Sequence, residues 1–230
     1  YTSSNEAVAT INNKGEITLI GKGEVTFTVT FAETNNYEAS TATTNTLTVT
    51  LNTLTADDFI IETNAIYDGQ SKAGNATTDL EGVGTITTIY EQNGVEVDPV
   101  DAGTYDIYVV VTEGSKYEAV EKLMVGTLTI EQAVFELPET TTFTDKKVNY
   151  NGKVHTIEVE GLPEGIIVNY EDENGNPSNV GENVGEYHAI ATFVLSADLS
   201  KNYKAIEPAS MTATLTIEDY IQKYEIEANL

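Results

Sequence analysis

The sequence predicts an all-β chain made of tandem small modules, and three observations carry that prediction. A short phrase recurs as Tyr37-Glu38-Ala39, Tyr117-Glu118-Ala119 and Tyr203-Lys204-Ala205, its tyrosines 80 and then 86 residues apart. This period is nearly constant and too long for a solenoid, whose units run to roughly 20–50 residues. Each phrase follows a strand-like run that opens after a glycine, at Gly23, Gly103 or Gly185, and leads to a closing Leu-Thr-Val or Leu-Thr-Ile at Leu47, Leu128 or Leu215. No segment carries helical periodicity, and turn signals are dense.

The clearest strand is Val25-Thr26-Phe27-Thr28-Val29-Thr30-Phe31, in which Val25, Phe27, Val29 and Phe31 alternate with threonines. Period two with β-branched and aromatic residues is the pattern of a half-buried strand, so these four residues are predicted to face a core. With the three glycines in register, Val25 aligns with Tyr105 and Tyr187, Phe27 with Ile107 and Ala189, and Phe31 with Val111 and Phe193. The closing strands repeat the logic through Leu47 and Val49, Leu128 and Ile130, and Leu215 and Ile217. Tyr67-Asp68-Gly69 and Tyr150-Asn151-Gly152 open the second and third copies. Asn93-Gly94 and Asn174-Gly175 mark hairpin tips, because both residue types tolerate positive φ in a type I′ turn. Ser196 to Ser200 is an insertion expected in a surface loop, lengthening the glycine-to-tyrosine spacing from 14 to 18. The junctions, at about 50–58, 131–145 and 218–222, contain no Gly/Ser-rich or Pro-rich tract and read as fairly stiff connections.

These elements divide the chain into an incomplete first module at 1–50, full modules at 51–132 and 133–218, and a linker or the start of a further module at 219–230. Because the first copy lacks the upstream half of the other two, the chain reads as a segment of something longer. The net charge is −26, with eleven lysines and no arginine. Nucleic acid and anionic membrane surfaces need cationic neutralisation, so neither is expected as a partner. Cysteine is absent, which removes disulfides, thiolate metal sites and cysteine nucleophiles. No run of 18 apolar residues suggests membrane insertion.

The second and third modules resemble the MBG/YDG-type repeat domains of large bacterial surface proteins. In the third the resemblance rests on Tyr150-Asn151-Gly152-Lys153, Gly161-Leu162-Pro163-Glu164-Gly165, Val184-Gly185-Glu186-Tyr187, Asn202-Tyr203 and Ala213-Thr214-Leu215-Thr216-Ile217. In the second it rests on Tyr67-Asp68-Gly69, Ala102-Gly103-Thr104-Tyr105 and Tyr117-Glu118-Ala119, with Leu80-Glu81-Gly82-Val83-Gly84 in place of a Leu-Pro-x-Gly. The opening stretch, Thr2 to Thr10 with Gly15 and Gly21-Lys22-Gly23, is similar to the second half of a group 2 bacterial immunoglobulin-like domain. The likeness implies an exported, extracellular or cell-surface protein of small β-sandwich modules, immunoglobulin-like, with a β-grasp-like topology as the alternative for the later ones.

Candidate sites are few. Aromatic faces stack on sugars, which makes Tyr90, Tyr105, Tyr108 and Tyr170 candidates for a glycan platform; the competing expectation is a half-buried framework tyrosine whose hydroxyl satisfies a loop. Asp172, Asn174 and Asn176 form an oxygen-rich stretch with the look of a calcium loop, although its glycine is misplaced for the helix-loop-helix pattern, and a plain turn is the favoured expectation. Asp57 and Asp58, near the first junction, are a second cation candidate. Calcium is the one cofactor the sequence suggests. His155 and His188 sit in no metal or triad context, and no catalytic signature is present. Lys122 and Lys153 lie near strand-like runs and are candidates for Lys-Asn cross-links. The expected role is a non-enzymatic, elongated spacer projecting or linking other domains of the same surface protein; the alternative is an adhesin module binding a host or dietary glycan or a host protein.

Overall fold

The computed structural model of the chain describes residues 1–219. Most of the stretch read as a linker or further module at 219–230 lies outside the described residues. Among the described residues there is no α-helix, only 3-10 turns at Ala56–Asp58 and Leu199–Lys201, and the fold is all-β as predicted. Two compact units emerge. One comprises Tyr1–Asn64, Ser71–Pro99 and Thr104–Thr129; the other comprises Ala65–Gln70, Val100–Gly103 and the chain from Ile130 onward.

The first unit begins with seven short strands: β1 (Thr2–Ser3), β2 (Ala9–Ile11), β3 (Ile17–Leu19), β4 (Gly23–Val25), β5 (Phe27–Phe31), β6 (Ser40–Thr43) and β7 (Leu47–Val49). The run predicted as one strand from Val25 to Phe31 is two. β4 pairs antiparallel with β7, whereas β5 pairs with β1 and β6, so the chain changes sheet partners at Thr26. Val25 and Phe27 are buried with Val8 and Ala9, but Phe31, assigned by its alternation to the core, is 70% exposed. The small cluster of Val8, Ala9, Val25 and Phe27, with Ile11 and Val49 against it, does not reach the far end of β5.

A single five-stranded sheet follows, built from β8 (Asn64–Ile66), β9 (Ile86–Gln92), β10 (Val95–Glu96), β11 (Gly103–Val111) and β12 (Val120–Glu131) in the order β10-β9-β11-β12-β8. Along β11 the predicted period of two holds: Tyr105, Ile107, Val109 and Val111 are buried, as are Leu128 and Ile130 on β12. β9 turns into β10 through Asn93 (φ 54) and Gly94 (φ 78), the two positive φ values of a type I′ hairpin. Thr129 N–H donates to Thr63 C=O at 2.8 Å and Tyr67 N–H to Glu131 C=O at 2.9 Å. Residue numbers rise together across these bonds, so β8 runs parallel to β12. Leu54, inside the stretch read as a junction at about 50–58, and Phe59, just past it, are buried with Ala76, Val109 and Val111 and belong to a core.

The second unit contains β13 (Ala133–Glu136), β14 (Lys146–Asn149), β15 (His155–Thr156), β16 (Ile166–Glu171), β17 (Val180–Gly181), β18 (Gly185–Leu195), β19 (Tyr203–Glu207) and β20 (Ser210–Glu218). Its main sheet has the order β14-β20-β18-β16, the same succession as β8-β12-β11-β9. β14 and β20 pair in parallel, from Lys146↔Leu215 to Asn149↔Glu218. Phe143, Ile157 and Ile206 pack with Ala189, Ala191, Phe193, Leu215 and Ile217 of the sheet. Phe143 and the buried Thr141 come from the stretch read as a junction at 131–145; here it is core, and Thr141 Oγ1 donates to Gly161 C=O at 3.0 Å. The Asn174-Gly175 tip is not a type I′ turn. Among the described residues only Gly175 of the pair has positive φ (78), Gly175 N–H donates to Asp172 C=O, and Asp172 N–H donates to Asn176 C=O. Those bonds describe a three-residue loop with glycine at the left-handed position, which the extra residue in this copy demands. The insertion carries the Leu199–Lys201 turn. The three register glycines, Gly23, Gly103 and Gly185, share φ values of 138, 155 and 156, a region that side chains rarely enter.

Candidate functional site

The four tyrosines proposed as a sugar platform share no exposed face. Tyr105 is 2% exposed on the core side of β11, and Tyr90 is 7% exposed. Tyr90 Oη accepts a hydrogen bond from Gly74 N–H and donates to Gly74 C=O, both at 3.0 Å, closing a loop onto its strand. In the second unit Tyr170 plays the corresponding part: its ring packs at 5.8 Å from that of Phe143 and its Oη accepts from Val159 N–H at 2.8 Å. Tyr108 is half-buried on the other face of β11, where the Lys122 ammonium sits 4.1 Å from the ring centroid. These are the contacts of framework tyrosines, whose apolar body packs while the hydroxyl satisfies backbone.

The oxygen-rich tip is held by its own hydrogen bonds. Asp172 Oδ1 accepts from the N–H groups of Asn174 (2.8 Å) and Asn176 (2.9 Å), and Asn176 Nδ2 donates to Asp172 Oδ2 at 3.0 Å. Donors from Asn176, chiefly its side chain, hold the Asp172 carboxyl below its ordinary value of 3.8. Asn174 adds smaller contributions of the same sign. Asp58 Oδ2 accepts from Thr55 N–H (2.7 Å) and Thr55 Oγ1 (2.9 Å), capping the short 3-10 turn, while Asp57 is exposed beside it. No group of three or more His, Asp or Glu side chains is poised to hold a metal among the described residues.

His188 is exposed on β18, as its strand position predicts, with Nδ1 3.0 Å from Thr214 Oγ1; His155 Nε2 lies 3.0 Å from Asn151 Oδ1. Lys122 Nζ donates to Glu91 Oε1 at 2.7 Å, and that bond raises its pKa above the ordinary value. Its partners are this carboxylate and the Tyr108 ring; Lys153 is exposed, and its backbone N–H donates to Asn151 Oδ1 at 3.0 Å. A polar hollow of about 420 Å³ is lined by residues that include Asp145, Lys146, Glu158 and Glu160. Two of its charges hold the fold: Asp145 Oδ1 accepts from Thr214 N–H at 2.8 Å and Lys146 Nζ donates to Thr156 C=O at 2.9 Å.

What the structure does bring together is the first and last strand of each repeating sheet. β8 lies parallel beside β12, and β14 beside β20 with Tyr150 N–H donating to Glu218 C=O at 2.8 Å. Motif reading missed both pairs, since β8 and β14 are too short to show periodicity. The available signal was their position, directly ahead of the recurring Tyr67-Asp68-Gly69 and Tyr150-Asn151-Gly152.

No curated protein matches the chain. No helix among the described residues is long and apolar enough to cross a membrane. One match is found to a known family, the MBG domain, over residues 48–134, a stretch that runs from β7 through the five-stranded sheet to β13. The MBG domain is a domain of bacterial surface proteins, of a non-catalytic, surface-repeat type.

Proposed function

We propose that the chain is a non-enzymatic spacer of a bacterial surface protein, in which tandem β modules project or link other domains outside the cell and withstand tension between them. The parallel pairing of first and last strands carries this reading. When a chain is pulled by its two ends, parallel neighbours are drawn in opposite directions along their shared ladder, so the hydrogen bonds are loaded together in shear. An antiparallel hairpin would open one bond at a time. The shared strand order of β8-β12-β11-β9 and β14-β20-β18-β16 supports residues 133–218 as a second module of the MBG kind; residues 1–50 are read as a partial immunoglobulin-like module on their motifs alone. The framework burial of Tyr90, Tyr105 and Tyr170 favours the spacer over the adhesin reading.

Pulling single molecules from both termini tests the proposal. Release of the chain between Asn64 and Glu131, and between Lys146 and Glu218, should give two steps of about 220 and about 240 Å, from roughly 3.3–3.6 Å per extended residue. The first 50 residues lack such a clamp and should yield at lower force. Smooth extension without steps of module size would refute the proposal.

A further inference from the structure

We propose that the end of the third module bearing Tyr150 and Val184 is a docking face for another module of the same kind, one presenting an Asn-Tyr pair like Asn202-Tyr203. The inference rests on the tandem reading above. Its basis is a joint that the structure already contains twice, each time within one compact unit.

In the second unit, Asn202 clasps the turn ahead of Gly103. Its Oδ1 accepts from Ala102 N–H at 2.7 Å and its Nδ2 donates to Asp101 Oδ1 at 2.9 Å. The Tyr203 ring meets Tyr67 edge-on at 5.3 Å and Phe135 at 5.0 Å. Ala133 N–H donates to Asn202 C=O at 3.0 Å, and Gln132 Nε2 to Ser200 C=O at 2.8 Å. Corresponding positions meet in the first unit. Asn52 N–H donates to Lys116 C=O and Glu118 N–H to Asn52 C=O, both at 2.9 Å. Lys22, which precedes Gly23 as Ala102 precedes Gly103, is ion-paired with Glu113. In both, the turn before a strand-opening glycine meets the residues leading to the tyrosine of the next copy.

The third module repeats the receiving parts and, among the described residues, leaves them open. Tyr150, the counterpart of Tyr67, is 41% exposed, and Val184, the counterpart of Ala102, is 52% exposed. Val184 N–H has no hydrogen-bond partner among the described residues. Both sit at one end of the sheet, since Tyr150 N–H donates to Glu218 C=O and Gly185 pairs with Ile217. A backbone donor without a partner among the described residues and an exposed aromatic ring, both at one end of the sheet, are what an Asn carbonyl and a Tyr edge would satisfy. Asn183 Oδ1, at the Asp101 position, would receive the Asn amide. Covalent linkage would supply the effective concentration that so small a contact needs.

The chain contains no cysteine, so a single introduced thiol reports local cover. Val184→Cys is prepared in the natural chain and in one lengthened by appending residues 132–219 directly after Glu218, which reproduces the Glu131-Gln132-Ala133 join. Reaction with Ellman's reagent should slow at least tenfold in the lengthened chain, and recover when the appended copy alone also carries Asn202→Ala. Equal rates in all three would overturn the inference. Ala102→Cys in the natural chain, at the occupied joint, should react slowly and be released by Asn202→Ala. If it instead reacts as fast as Val184→Cys, the joint does not shield and the inference falls, whether or not the appended copy folds. Neither result alters the force steps, so failure here is distinguishable from failure of the spacer reading.

Discussion

Replacing Tyr90 by Phe removes one oxygen that serves as both acceptor and donor to the same residue. Gly74 N–H and C=O each lie 3.0 Å from Tyr90 Oη; the ring is 7% exposed while Gly74 is itself exposed, so both backbone groups would lose their partner at the edge of the core, where water reaches them. An unsatisfied buried polar group costs about 1–3 kcal/mol, and partial access of water keeps the pair near that range rather than double it. At roughly 4–8 °C per kcal/mol for a cooperative unit of this size, Tyr90→Phe should lower the melting temperature by about 5–15 °C. Tyr170→Phe loses only the bond from Val159 N–H and should cost less. Tyr37→Phe, on a residue 78% exposed, should fall within about 0.5 kcal/mol of the parent. Calorimetry on the three variants reads the order directly. The framework argument is refuted if Tyr90→Phe melts with the parent but abolishes binding on a glycan array.

Three further outcomes follow from single residues. Gly161 has φ 69, and a Cβ there would overlap the Thr140 carbonyl oxygen, so Gly161→Ala should destabilise the second unit by at least about 2 kcal/mol in urea titrations. The Asp172 carboxyl should titrate below 3.8 by NMR, its stabilising effect complete above that value and lost as pH falls through the lower folded-state value; Asn176→Ala removes the leading cause and should move the titration back up. Millimolar calcium should leave the melting temperature unchanged, because the Asp172 and Asp58 carboxylates already accept local N–H and O–H donors; a rise with calcium concentration would restore the tip as a cation site.

Where the chain builds long strands buried on one face, the sequence was sufficient. Tyr105, Ile107 and Val111 could be placed from alternation in the register of Gly23 and Gly103, and Leu128, Ile130, Leu215 and Ile217 from the threonine-spaced closing strands. Gly23, Gly103 and Gly185 were legible as a register point ahead of each strand-like run, and the structure adds that they share a positive φ. Phe31 defeated the same rule because the small cluster of Val8, Ala9, Val25 and Phe27 covers only the start of β5, and alternation carries no information about how far along a strand the core extends. Phe143 and Thr141 were hidden in an apparent junction, since a single bridge, Thr142↔Glu160, holds that segment without any periodic signature. The tyrosines recur in sequence whether they serve packing or binding; only their burial and hydroxyl partners separate the two. The parallel β8/β12 and β14/β20 pairs join residues at opposite ends of a module, a contact that no local pattern encodes.

The pairing of β14 with β20 is therefore the point to attack. Tyr150 N–H donates to Glu218 C=O, and the alternation of a parallel ladder directs Val148 N–H toward the same strand, where Val148 pairs with Ile217. Val148→Pro deletes that donor. In single-molecule pulling, the variant should lose the high-force step of about 240 Å while keeping the step of about 220 Å from the β8/β12 pair. Two unaltered steps at unaltered force would contradict the claim that terminal-strand shear gives this chain its mechanical strength.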